Sequence, residues 1–76
     1  MQAFDPRKLG NAVYQYRHRK RLSQDDLANM VGLSPNTIFK YENGLQSPGA
    51  DKVWLLSQAL DCTPNDLLGW PATAGK

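Results

Sequence analysis

Asn36 and Lys40 stand four residues apart in the run Ser34-Pro35-Asn36-Thr37-Ile38-Phe39-Lys40-Tyr41-Glu42-Asn43. If that run is helical, the two side chains share one face. Their chemistry suits the reading of base edges. A carboxamide can bond adenine N6 and N7 together, and an ammonium can reach guanine O6 or N7. Catalysis finds no comparable set. The single His, His18, lies in a basic run, and the single Cys, Cys62, is far from it along the chain. No metal-ligand spacing, phosphate-loop glycine pattern or nucleophile motif is present. The chain reads as a non-enzyme that needs no metal and no cofactor.

Two short helices joined by a tight turn would carry the reading residues. Ser23 can cap the first, with Gln24, Asp25 and Asp26 in its first turn. Leu27, Ala28 and Val31 then form one inward stripe. Gly32 ends that helix at a position that favours a left-handed residue. Ser34-Pro35 restarts the chain as N-cap and first helical residue. Ile38 and Tyr41 face the core, and Asn43-Gly44 stops the second helix. Asp5-Pro6 opens an earlier helix of about residues 6–20, with Leu9, Ala12, Val13 and Tyr16 inward and Leu22 closing over them. Gly44 to Gly49 is a loop. A fourth helix, begun by Pro48 or Gly49, runs to about residue 60 with Val53, Leu56 and Leu60 inward. Thr63-Pro64 caps a short fifth helix carrying Leu67 and Leu68. No stretch alternates as a strand would, so the expected fold is all-α with five helices.

Seventy-six residues make one domain with a modest core. One Cys excludes an intrachain disulfide. No run approaches a membrane span and the amino terminus lacks a signal-peptide core, so a cytoplasmic location is expected and no membrane partner. The net charge of +2 says little, but its distribution says more. Residues 1–44 hold seven Lys or Arg against four acids, and residues 45–76 hold two against three. Four of the cations lie in Arg17-His18-Arg19-Lys20-Arg21, where they favour a helix carboxyl end and form a rim attractive to phosphate.

The run Leu22-Ser23-Gln24-Asp25-Asp26-Leu27-Ala28, then Val31-Gly32-Leu33-Ser34-Pro35, Thr37-Ile38 and Tyr41-Glu42-Asn43-Gly44, resembles the Cro/CI-type phage-repressor family of helix-turn-helix proteins. The likeness continues through Ser47-Pro48, Ala59-Leu60 and Thr63-Pro64-Asn65-Asp66-Leu67-Leu68-Gly69, and covers roughly residues 8 to 70 without a gap. It implies a lambda-repressor-like DNA-binding domain over residues 1–71, with 72–76 a flexible tail. It places Pro35, Asn36 and Lys40 where the family reads bases, with Ser34 and Thr37 beside them. Gln24 falls where the family holds a phosphate, and Asn43 at a second phosphate contact. Arg19 and Gln46 join as phosphate candidates by position alone. Arg17 and Glu42 have the spacing of a family salt bridge that fixes the recognition helix and can leave an N–H for a phosphate. Four positions depart from the family: Arg21 replaces a usual glycine, Asp61-Cys62 replaces small and β-branched residues, and Phe39 replaces a usual polar residue.

Trp54, Leu55, Trp70 and Pro71 exceed what one small core needs, which suggests an interface near the carboxyl end. The family dimerises through this region, so Pro64, Leu67 and Trp70 are candidate dimer contacts. Trp70 alternatively folds back as a core lid. The reading that fits these residues is a sequence-specific regulator of transcription, a repressor bound to double-stranded DNA as a homodimer at a two-fold operator. The rival is a protein-interaction module, such as an antitoxin or the controller protein of a restriction-modification system. No small-molecule ligand is evident.

Overall fold

A computed structural model describes residues 4–69. It contains α1 (Pro6–Arg19), α2 (Gln24–Val31), α3 (Pro35–Glu42), α4 (Ala50–Ala59) and α5 (Pro64–Leu68), with no strand among the described residues. Four starts are capped by side chains. Asp5 accepts from the Arg7 N–H, and the Ser34 hydroxyl from the Thr37 N–H. Ser23 with Asp26 and Thr63 with Asp66 form reciprocal capping boxes, which satisfy orphan donors on both sides of the cap. Gly49 caps α4 without a side chain, and Pro48 before it is buried.

The helices enclose one apolar cluster. Leu9, Val13, Leu27, Ala28, Ile38, Leu56 and Leu67 are wholly buried, with Val31, Tyr41, Val53 and Leu60 nearly so. Ala12, Tyr16 and Leu22, expected inward, pack against its edge. Leu68, one residue past Leu67 and so turned about 100° around the helix, is exposed. Helix α1 lies across α3 and α5, while α2 lies between α3 and α4. The helix-turn-helix is thereby clamped from both sides.

Three helices end the same way, and only one of them uses glycine. After α1 the Leu22 N–H reaches the Arg17 carbonyl and the Arg21 N–H the His18 carbonyl. After α3 the same pair of bonds runs from Leu45 to Lys40 and from Gly44 to Tyr41. After α4 it runs from Cys62 to Ser57 and from Asp61 to Gln58. This pattern requires a left-handed residue at its turn. Gly44 supplies φ 70°, but Arg21 and Asp61 are forced to φ 57° and 55°. The departure at Arg21 therefore leaves the geometry unchanged and places a side chain in it. The adjoining Lys20 ammonium pairs with the Asp61 carboxylate, tying the two strained turns together. Left-handed backbone costs a residue with a Cβ about 1–2 kcal/mol, and glycine's extra freedom when unfolded returns part of that. Arg21→Gly is expected to raise stability by about 0.5–1 kcal/mol in a urea melt. A loss would show that the arginine side chain contributes more than the strain.

Candidate nucleic-acid interface

The outward side of α3 follows from what its inward side must bury. With Ile38 and Tyr41 in the core, helical spacing puts Asn36, Phe39, Lys40 and Asn43 on the opposite face, where all four are exposed. No side-chain hydrogen bond or ion pair engages Asn36 or Lys40 among the described residues, so their polar atoms are open to a ligand. Ser34 and Pro35 are exposed and Thr37 half-buried. Ser34 and Thr37 are committed to each other, their hydroxyls 2.8 Å apart while Ser34 also caps the helix. At the far end the Asn43 amide donates to the Phe39 carbonyl at 2.8 Å, leaving one N–H and its oxygen outward. Gln46 is exposed in the following loop.

A polar node fixes this helix against the other two. Arg17 Nε and Nη2 donate to the two carboxylate oxygens of Glu42 at 2.6 and 3.0 Å, a bidentate pair from α1 to the last residue of α3. Arg17 Nη1 donates to the Leu22 carbonyl at 2.8 Å. Gln24, the first residue of α2, adds its amide Nε2 to Glu42 Oε1 at 3.1 Å. The carboxylate thus gathers one donor set from each neighbouring helix. Its hydrogen bond, more than its charge, raises the Arg17 pKa above the ordinary guanidinium value, against a smaller lowering from burial. The Arg17 and Glu42 side chains are 9% and 4% exposed. Three of the five guanidinium N–H groups are engaged within the protein in this way and the side chain is mostly enclosed, so the structural role of Arg17 comes first. Gln24 keeps a second amide N–H and a backbone N–H at the start of α2.

The remaining cations divide in the same way. Lys20 is held by Asp61, and Arg19 lies over the Tyr16 ring at 4.9 Å. Arg19, Arg21 and Lys40 are exposed and form no ion pair among the described residues. The five-residue basic run is therefore a shorter phosphate rim than its composition suggests.

At the opposite end, Trp54, Leu55 and Leu68 are exposed on α4 and α5. Pro64 is half-buried. Leu67 as a dimer contact is corrected: it is 0% exposed, a core residue beneath that surface. Trp70, Pro71 and the tail lie outside the described residues. Cys62 is partly buried against the core. Burial, and then Asp66 and Asp61, push its thiol up to about 11. At pH 8 only about a thousandth of Cys62 is thiolate, against about a quarter for an ordinary cysteine. Its alkylation rate is expected to keep rising tenfold per pH unit from pH 7 to 9.5. Levelling near pH 8.5 would contradict this.

The sequence did not reveal Gly10. A Cβ built there would stand 2.3 Å from the Tyr41 carbonyl oxygen and 2.6 Å from that of Glu42. Gly10 lets the end of α3 rest directly on α1, beside the Arg17–Glu42 pair. The available signal was a glycine inside an otherwise regular helical stripe.

No helix among the described residues is long and apolar enough to cross a membrane. No cluster of three or more His, Cys, Asp or Glu able to hold a metal occurs among them.

The sequence pattern of the family described as helix-turn-helix matches residues 13–67. Multiprotein-bridging factor 1 of Debaryomyces hansenii is 38% identical over 52 residues, covering 68% of this chain and 35% of its own length. Repressor protein C2 of Salmonella phage P22 is 32% identical over 60 residues, covering 79% of this chain and 28% of its own. The chain spans about a sixth to two fifths of the curated relatives it matches, 17% at the low end and 39% at the high. Among solved structures, the restriction-modification controller protein C.AhdI from Aeromonas hydrophila has a TM-score of 0.79 at 32% identity, with 83% of this chain and 96% of that chain covered. The P22 c2 repressor, solved in complex with a synthetic operator, has a TM-score of 0.76 at 32% identity, with 79% and 91% covered. Sequence pattern, relatives and fold agree over the same residues: the chain belongs to the helix-turn-helix family.

Proposed function

We propose that this domain is a sequence-specific regulator of transcription that reads double-stranded DNA through α3 and acts as a repressor, bound as a homodimer to a two-fold operator. The observation that carries this reading is the outward stripe of α3. It presents Asn36 and Lys40 with their polar atoms unengaged, on a helix held rigidly by the Arg17–Glu42–Gln24 node. An exposed amide near the start of such a helix and an ammonium about one turn further along the same face suit the major-groove edges of bases. Gln24, Asn43, Arg19 and Gln46 flank it as phosphate contacts, with Ser34, Pro35 and Thr37 at the base-facing end. The P22 c2 repressor, similar over most of this chain, was solved on an operator, which supports the same use here.

The exposed Trp54, Leu55 and Leu68 supply apolar surface for the second copy, with Pro64 at its edge. Two recognition helices so paired would enter major grooves about one helical turn apart, ~34 Å. Repression then follows by occlusion of polymerase at the promoter. No chemistry is performed on the DNA, and the domain acts from the cytoplasm.

The division of labour is testable by fluorescence anisotropy on specific and random duplexes. Asn36→Ala and Lys40→Ala are each expected to remove about 1–3 kcal/mol of discrimination at one base position. Gln24→Ala is expected to weaken specific and random DNA alike. Equal losses on both duplexes for all three variants would refute it.

A further inference from the structure

We propose that Phe39 is a specificity-determining residue that reads thymine through its C5-methyl group, beside the bases met by Asn36 and Lys40. The inference rests on the DNA-reading function above and adds a contact that a polar stripe alone would not make. Phe39 is 45% exposed, and it stands three residues after Asn36 and immediately before Lys40 on the outward face of α3. The core takes Ile38 and Tyr41 from the same helix and leaves this ring out.

Its backbone is held in place. The Phe39 carbonyl accepts both the Asn43 backbone N–H, at 3.1 Å, and the Asn43 side-chain amide, at 2.8 Å. A phenyl ring has no donor or acceptor with which to read base nitrogen or oxygen atoms. Among the base-edge features of the major groove, the one it can match is the apolar C5-methyl of thymine. Closing a ring over that methyl removes apolar surface of both from water. The flanking Lys40 draws phosphates toward the same face.

Two selections from randomised duplex pools separate this contact from other uses of the ring. One pool is built with thymine and the other with uracil in its place, so that the C5-methyl is the sole chemical difference. The wild-type domain is expected to enrich a thymine at a fixed position of each half-site in the first pool. In the second pool that preference should vanish, with affinity about fourfold lower per lost methyl. Phe39→Ser, a change at an exposed position, should enrich the same bases at the positions read by Asn36 and Lys40 and give equal results in both pools. Wild-type enrichment that ignores the methyl would overturn the inference while leaving the DNA-reading function intact. So would a Phe39→Ser loss equal for all sequences, which would mark packing on sugar and phosphate. Absence of any enrichment in the thymine pool would overturn the function and the inference together.

Discussion

Glu42→Ala is expected to destabilise the domain by about 3–5 kcal/mol, as removal of one partner of an enclosed ion pair does. The carboxylate is the only acidic partner of Arg17 among the described residues, and both side chains are enclosed. Removing it leaves the guanidinium with the Leu22 carbonyl alone as acceptor, and the Gln24 amide loses its acceptor as well. A buried charge without its partner costs far more than the pair contributes over apolar residues of similar volume. Against a total stability of about 5–15 kcal/mol for a small domain, that loss takes between about a fifth and the whole of it. Replacing both partners, as Arg17→Met with Glu42→Leu, should recover much of the loss. A urea melt distinguishes this from a surface ion pair, whose removal costs about 0–1 kcal/mol. A Glu42→Ala loss of under 1 kcal/mol would contradict the enclosed node.

Gly10→Ala should be the second large effect, and its sign is the informative part. In an open helix the change stabilises by about 1 kcal/mol, because alanine is the better helix former. Here the new methyl would meet the Tyr41 and Glu42 carbonyl oxygens within 2.6 Å or less. Those atoms belong to backbone, so no rotamer change relieves the clash. Helix α3 must move off α1, at a cost of about 1–3 kcal/mol or more. Thermal denaturation should show a fall of roughly 4–8 °C for each kcal/mol. The displacement also pulls on the Arg17–Glu42 pair, so DNA affinity should fall even where the protein remains folded. A Tm at or above that of the wild type would show that α1 and α3 are not in close contact at Gly10.

Most of what positions the site was legible because it is local. Ser23, Ser34 and Thr63 announce helix starts through the reach of one hydroxyl to an N–H three residues on, and Gly32 announces a turn through its missing Cβ. The inward stripes at Leu27-Ala28-Val31 and Ile38-Tyr41 follow from helical period alone, and the outward stripe of Asn36 and Lys40 is their complement. What the sequence left open depends on other helices. Arg21 and Asp61 adopt left-handed backbone because the chain must turn there. Aspartate visits that region more readily than most residues with a Cβ, but no local preference of arginine signals it. The turn of the Gln24 amide toward Glu42 exists only once α2 and α3 are packed. The Arg17–Glu42 pair was legible from its family spacing, but the further bond from Arg17 to the Leu22 carbonyl exists only in the folded chain. Leu67 and Leu68 are adjacent in the chain, and which of them faces the core is decided by how α5 docks on α1.

The measurement that bears most directly on the central claim is selection of bound sequences from a randomised thymine-containing duplex pool at near-physiological salt. The account predicts an enriched inverted repeat with half-sites about one helical turn apart. Positions within each half-site should lose their preference one at a time in Asn36→Ala and Lys40→Ala. Weak, salt-sensitive binding without enrichment would contradict it, because a basic rim alone gives affinity for any duplex and specificity for none.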